Sequence, residues 1–253
     1  MIIQIVYLIY ILGLGLTFGS FFNVVGLRLP LKQSFVHSRS QCPTCEYTLT
    51  WRDLIPVFSY LFLRGKCRRC GTKISPIYPI VELTTGVLFA VSYLIFGLHI
   101  ELLISLIFIS MLMIVFVTDI TYMLIPDKLL LFFLPIFVIL RIIHPLNPWW
   151  DSYIGGLAGL FTLALIIILS RGGMGAGDMK LMGVIGIVLG LQDTYLAFFF
   201  ATLYGTVISG GLLLLKKIDR KQPIPFGPYI ILGALTAYFF ADSIVKWYVD
   251  TLW

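Results

Sequence analysis

The chain has 253 residues, 59% of them hydrophobic and only 12% charged, against roughly 25% charged in an ordinary soluble domain. With a mean hydropathy of +1.00, this balance excludes both a soluble globular enzyme and a disordered chain. The long apolar runs do not alternate, which excludes a transmembrane barrel. The expected fold class is an all-α polytopic membrane protein. Its net charge of +6 sits beside apolar spans, as positive-inside topology requires, so no nucleic-acid partner is expected.

Taken in chain order, the predicted spans are Ile3–Val25, Ile80–Leu98, Leu102–Val117, Leu129–Ile143, Tyr153–Ser170, Met179–Leu191, Tyr195–Leu215 and Tyr229–Val245. That makes about eight transmembrane helices. The first lacks a basic n-region and a small-residue cleavage site, so it reads as a retained span and not as a signal peptide. The sixth is short for a crossing of about 20 residues and begins at a Gly-rich turn. Orientation follows from Lys and Arg. One side receives Arg28, Lys32, Arg39, Arg52, Arg64, Lys66, Arg68, Arg69, Lys73, Lys128, Arg171, Lys180, Lys216, Lys217, Arg220 and Lys221; the other receives Arg141 and Lys246. The first side is therefore cytoplasmic and both termini lie opposite it. Glu101, Asp151, Trp149 and Trp150 then fall at the outer ends.

Arg28–Tyr78 is too long for a simple connection and holds all four cysteines, in the pattern C-x2-C-x21-C-x2-C: Cys42, Cys45, Cys67 and Cys70. Two such turns supply four thiolates in the tetrahedral set that suits Zn²⁺, at a spacing close to that of a zinc ribbon. A disulfide framework is disfavoured because the charge rule puts the segment in the reducing cytoplasm. Lys66, Arg68, Arg69 and Lys73 would offset the charge of a Zn(Cys)₄ centre, and four protein ligands make it structural. Gly71 follows the second pair, whereas Glu46 stands in the first turn where glycine is common. The domains expected are residues 1–26 as the first transmembrane helix, 27–79 as a small cytoplasmic zinc-ribbon-like lobe, and 80–253 as the transmembrane core.

Two aspartates stand at the cytoplasmic edge of the core: Asp119 at the end of the third span and Asp178 at the start of the sixth. A carboxylate beside hydrocarbon faces a partner or a water-filled cavity, and two at one depth can share a proton and activate a water. Paired carboxylates also suit a proton-coupled transporter, which is the main alternative. Asp127, after Ile125-Pro126, reads as an N-cap of the fourth span. Gly172, Gly173, Gly175 and Gly177 precede Asp178; glycine permits positive φ and close approach of another chain, as an extended peptide substrate needs. Close helix packing by small residues is the bland alternative. Glu82, at the cytoplasmic end of the second span, is a candidate for lining a substrate cavity. His37, His99 and His144 are dispersed and carry no assigned role.

Gly175-Ala176-Gly177-Asp178, with Asp119 on an earlier span, resembles the G-x-G-D class of intramembrane aspartyl proteases. The longer string Gly173-Met174-Gly175-Ala176-Gly177-Asp178-Met179-Lys180-Leu181 resembles that of type IV prepilin peptidases. So do Asp119 followed by Ile125-Pro126-Asp127, and Gly19-Ser20-Phe21-Phe22-Asn23-Val24-Val25 followed by Arg28-Leu29-Pro30. Asp53–Tyr60, Arg64–Cys67, Ile74–Pro79 and Ile224–Pro228 extend the likeness over residues 18 to 230 or so. The resemblance implies Asp119 and Asp178 as the catalytic dyad; Gly175, Gly177, Lys180 and Glu82 are expected to be substrate-binding or supporting residues. It implies leader removal from prepilins, pseudopilins or competence pilins at the cytoplasmic face of a bacterial inner membrane. It further implies S-adenosylmethionine-dependent N-methylation of the new N-terminus, although no S-adenosylmethionine fold is legible. A protease-dead methyltransferase or scaffold is a second alternative, disfavoured by the presence of both aspartates.

Overall fold

The computed structural model of the protein describes residues 2–34, 39–170, 173–216 and 224–252. Among them, nine α-helices follow one another: α1 Ile2–Arg28, α2 Phe58–Phe62, α3 Ile77–Phe96, α4 Ile100–Tyr122, α5 Asp127–Ile143, α6 Asp151–Leu169, α7 Ala176–Leu189, α8 Leu191–Leu214 and α9 Gly227–Leu252. A single 3₁₀ turn covers Trp51–Leu54. Among the described residues, pairing between strands is confined to two isolated antiparallel bridges, Gln41 with Thr48 and Lys66 with Lys73. An all-helical frame is what hydrocarbon demands, since a helix satisfies its own backbone donors and acceptors.

All eight predicted spans are helices. Six of them (α1, α3, α4, α6, α8 and α9) are long and apolar enough to cross a membrane unaided; α5 has 17 residues and α7 only 14. Several ends move. α3 starts before its predicted first residue, with Pro79 inside its first turn, where proline loses no hydrogen bond. α4 continues to Tyr122, so Asp119 stands within the helix, one turn before its end, and not at the terminus expected.

The chain divides into two compact units, Met1–Thr118 and Asp119–Trp253. In the first, α1 lies against α3 at small residues. A Cβ on Gly15 would stand 2.8 Å from the Gly86 Cα, and one on Gly19 2.7 Å from the Glu82 Cα. Only glycine permits that approach, and backbone-to-backbone contact is what drives helix association in lipid. The Ser105 hydroxyl donates to Ser92 Oγ at 2.6 Å, tying α4 to α3. In the second unit α7 is the inner element, with Leu181, Ile185 and Val188 fully buried. Gly155 of α6 lies against the backbone of Gly186 and Gly190. Gly190 ends α7 at φ 85° and opens α8 without a linker. Arg141 of α5, 3% exposed, donates from Nη2 and Nε to the Val188 carbonyl at 2.6 and 3.2 Å. A guanidinium thus satisfies an orphan carbonyl at the negative end of α7. Arg141, counted above with the charges of the outer side, is a buried structural cation.

Candidate active site and metal centre

In the first unit the four cysteines sit on two matching turns. Cys42 N–H donates to the Tyr47 carbonyl and Glu46 N–H to the Cys42 carbonyl; Cys67 N–H donates to Thr72 and Gly71 N–H to Cys67 in the same way. Each turn closes through a residue in the left-handed region, Glu46 at φ 54° and Gly71 at φ 72°. The missing first-turn glycine has therefore not changed the geometry; Glu46 has been forced into it, against a steric cost of roughly 1–2 kcal/mol for a residue with a Cβ.

The four Sγ atoms lie within 4.8 Å of one another. Cys42 to Cys70 is 3.7 Å and Cys45 to Cys67 is 3.9 Å. Tetrahedral ligation at a metal–sulfur distance of about 2.3 Å places sulfurs about 3.8 Å apart, so the cluster fits one metal ion closed off by four protein ligands. The thiols feel the crowding. Although the Tyr47 backbone N–H favours its thiolate, Cys45 is pushed up to about 12 by burial and its three sulfur neighbours. The Thr72 hydroxyl and backbone bring Cys70 down to about 6. A divalent cation held by the four sulfurs would resolve this competition for protons. Asp53 braces the lobe. Its carboxylate accepts from the Thr50 hydroxyl at 2.7 Å, the Thr50 N–H at 3.0 Å and Arg68 Nε at 2.7 Å. Burial works to raise its pKa, but Thr50 and Arg68 outweigh that and hold the carboxyl below its ordinary range.

Glu82 belongs to the same unit. Its Oε2 accepts the Val57 N–H at 2.7 Å, which fastens the segment after the 3₁₀ turn to α3.

In the second unit Asp119 and Asp178 are 5% and 8% exposed and close enough to interact electrostatically. Each is held at a helix N-terminus. Asp119 Oδ2 accepts the N–H of Gly227, the first residue of α9, at 2.9 Å. Asp178, the third residue of α7, sets its carboxylate beside the N-cap Gly175, where a Cβ would stand 3.1 Å from its Oδ2. Free N–H groups and the positive end of a helix favour a carboxylate. The sequence marks Ile224–Pro228 only as a matching string; the structure shows why glycine stands at 227, because any Cβ there would strike the Asp119 carboxylate.

Gly175 and Gly177 also act by smallness. Gly175 is the α7 N-cap at φ −73°. A Cβ on Gly177 would stand 3.0 Å from the Ile125 Cβ. Neither these two nor Gly173 takes the positive φ expected of them. Asp127 is not the N-cap of α5; Pro126 is, and Asp127 is the first helical residue. Its two oxygens accept from Lys180 Nζ at 2.8 Å each, pinning the start of α5 to the first turns of α7. Gly172 and His37, and with them Arg171, Lys217, Arg220 and Lys221 of the charge count, lie outside the described residues.

A membrane-spanning chain with paired buried carboxylates and a four-cysteine centre has the outline of an intramembrane aspartyl peptidase. Residues 13–96 match the bacterial peptidase A24 N-terminal domain and residues 106–210 the type IV leader peptidase family. The chain belongs to that family. It is 45% identical over 235 residues to a prepilin leader peptidase/N-methyltransferase of Bacillus subtilis, covering 93% of this chain and 95% of that protein. It is 32% identical to the protein of that name from Aeromonas salmonicida, over 94% and 92% of the two chains. With the Klebsiella pneumoniae protein the figures are 36% identity over 70% and 83%. No solved structure matches the chain.

Proposed function

We propose that this protein is a prepilin leader peptidase that also N-methylates the new N-terminus of its product, with Asp119 and Asp178 as the cleavage dyad. The observation that carries the dyad is the burial of both carboxylates within electrostatic reach, each anchored at the N-terminus of a helix. Two carboxyl groups so placed share one proton. The ionised member takes a proton from water as the water oxygen attacks the scissile carbonyl carbon; the protonated member donates to the carbonyl oxygen. The tetrahedral intermediate collapses as the leaving nitrogen receives a proton from the dyad.

Gly175 and Gly177 keep the start of α7 bare of side chains, as an extended peptide beside Asp178 requires. Lys180, tied to Asp127, supports that turn. Residues 27–79 form the lobe in which Cys42, Cys45, Cys67 and Cys70 hold a structural Zn²⁺, and residues 80–253 form the catalytic core. The methyl donor is S-adenosylmethionine. The enzyme lies in a bacterial inner membrane with the dyad at the cytoplasmic face, and its partners are prepilins or pseudopilins and the bilayer, not nucleic acid. A proton-coupled transporter would leave the cysteine lobe and the family relation without a role.

Purified protein in liposomes, given a prepilin, should release the leader and then transfer a methyl group. Absence of leader loss would overturn the reading.

A further inference from the structure

The first unit holds two buried acceptor groups apart from the aspartate pair. Asn23 of α1 is 1% exposed and Glu82 of α3 is 8% exposed, and the helices touch between them at Gly19. Asn23 Nδ2 donates to the carbonyls of Gly19 and Tyr78, each at 3.2 Å. These partners fix the amide, because turning it would set oxygen against two carbonyl oxygens. Its Oδ1 is left buried with no hydrogen-bond donor among the described residues, a costly condition. Glu82, one turn beyond Tyr78, accepts the Val57 N–H at 2.7 Å. Val57 supplies that donor from φ 61°, ψ −51°, which a β-branched residue rarely adopts. A strained loop donor therefore covers a carboxylate one helical turn from the residue that bears the unpartnered amide oxygen, at the end of α1 and α3 from which the cysteine lobe grows.

We propose that Asn23 and Glu82 are the amine site of the methyl-transfer reaction, binding the α-ammonium group of the cleaved pilin after it displaces the Val57 N–H. An ammonium has three donors and no acceptor, which matches an acceptor-only socket, and its charge matches the carboxylate. Bound there, the ammonium gives one proton to the Glu82 carboxylate. The freed nitrogen lone pair attacks the methyl carbon of a sulfonium donor; the N–C bond forms as the C–S bond breaks, its electron pair passing to sulfur. A methylammonium and a neutral thioether result. The inference rests on the methyltransferase reading above.

The test is Glu82→Gln in the full-length enzyme in detergent, which keeps an acceptor for the Val57 N–H but removes the base. Methyl transfer to a pre-cleaved pilin peptide should fall by ~100-fold or more, the usual contribution of a general base, while the metal content and thermal stability of the same sample stay at wild-type values. A binding measurement without methyl donor adds an independent readout. Wild type should prefer the free-amine peptide over its α-acetylated form, and Glu82→Gln should lose that preference. Wild-type methyl transfer by Glu82→Gln would overturn the inference. So would parallel loss of cleavage and thermal stability, which would make Glu82 a brace for the loop. If wild type cleaves but never methylates with S-adenosylmethionine, the underlying reading is what fails.

Discussion

The cysteine lobe and the carboxylate region solve opposite problems of construction. In the lobe everything is local. Two turns with one hydrogen-bond pattern present four sulfurs, and even a glutamate is driven into the left-handed region to preserve it. In the second unit the partners come from far along the chain. Asp119 meets Gly227 across 108 residues, and Asp127 meets Lys180 across 53. Ligation can define a small lobe that has almost no apolar core, whereas the dyad depends on helix packing close enough to exclude a methyl group.

Substitutions should separate the two regions. The largest effect belongs to Asp119→Asn and Asp178→Asn. Each keeps the shape but cannot hold the shared proton, so cleavage should fall at least ~10²–10⁴-fold, with metal content unchanged. Wild-type-like turnover by either variant would remove the dyad. Gly227→Ala should follow, at about 10²-fold, because the added methyl displaces the Asp119 carboxylate and catalysis is sensitive to shifts of about an ångström. Full activity in that variant would show that the hydrogen bond to α9 positions nothing.

Cys42→Ser acts on the other side of the comparison. Zinc per chain, measured by elemental analysis, should drop from about one towards zero, and protease sensitivity of the lobe should rise, because structural zinc contributes its binding energy directly to folding. Cleavage should suffer far less than with either aspartate change, since the dyad is carried on helices. Wild-type protein purified without metal would end the zinc assignment.

Smaller still is Glu46→Gly. Relief of the left-handed strain, about 1–2 kcal/mol, is partly offset by glycine's greater freedom when unfolded, about 0.5–1 kcal/mol. A net gain of ~0.5–1 kcal/mol should appear as greater resistance of the lobe to chelator. The Asp53–Arg68 pair gives the smallest effect. Its carboxyl is held below the ordinary range, so its stabilisation is fully present above the unfolded pKa near 4. It is lost as pH falls through the lower folded value. Arg68 is half exposed, which limits the contribution to less than about 1 kcal/mol. Between pH 6 and 8 the pair should leave lobe stability flat; a slope there that Asp53→Asn abolishes would contradict it.

What is legible in the chain follows the same division. The cysteine spacing suffices to place the lobe, because its contacts are short-range and its chemistry is carried by the residue types. The eight apolar runs suffice to place the helices, because lipid admits no other backbone state for them. Asp119 and Asp178 are legible through the strings around them. The long-range partners are not. Asp127 looks like a cap because Asp after Pro is one in most settings, yet in α5 it faces Lys180. Arg141 counts in the sequence as a charge marking the outer edge of its span, yet it is buried against Val188. Both depend on helix register, which local pattern does not encode.

The brevity of α7 has a consequence for the solvent itself. Fourteen residues rise only about 21 Å, against a hydrocarbon thickness of about 30 Å, and this shortest of the eight spans carries Asp178. Such a mismatch is met by a locally thinned leaflet or by water and headgroups reaching inward. The lipid next to the enzyme thereby becomes part of its working geometry. Acyl-chain length is then a control variable: reconstituted in phosphatidylcholines of increasing chain length, the enzyme should lose turnover in the thickest bilayers while its cysteine lobe keeps its metal.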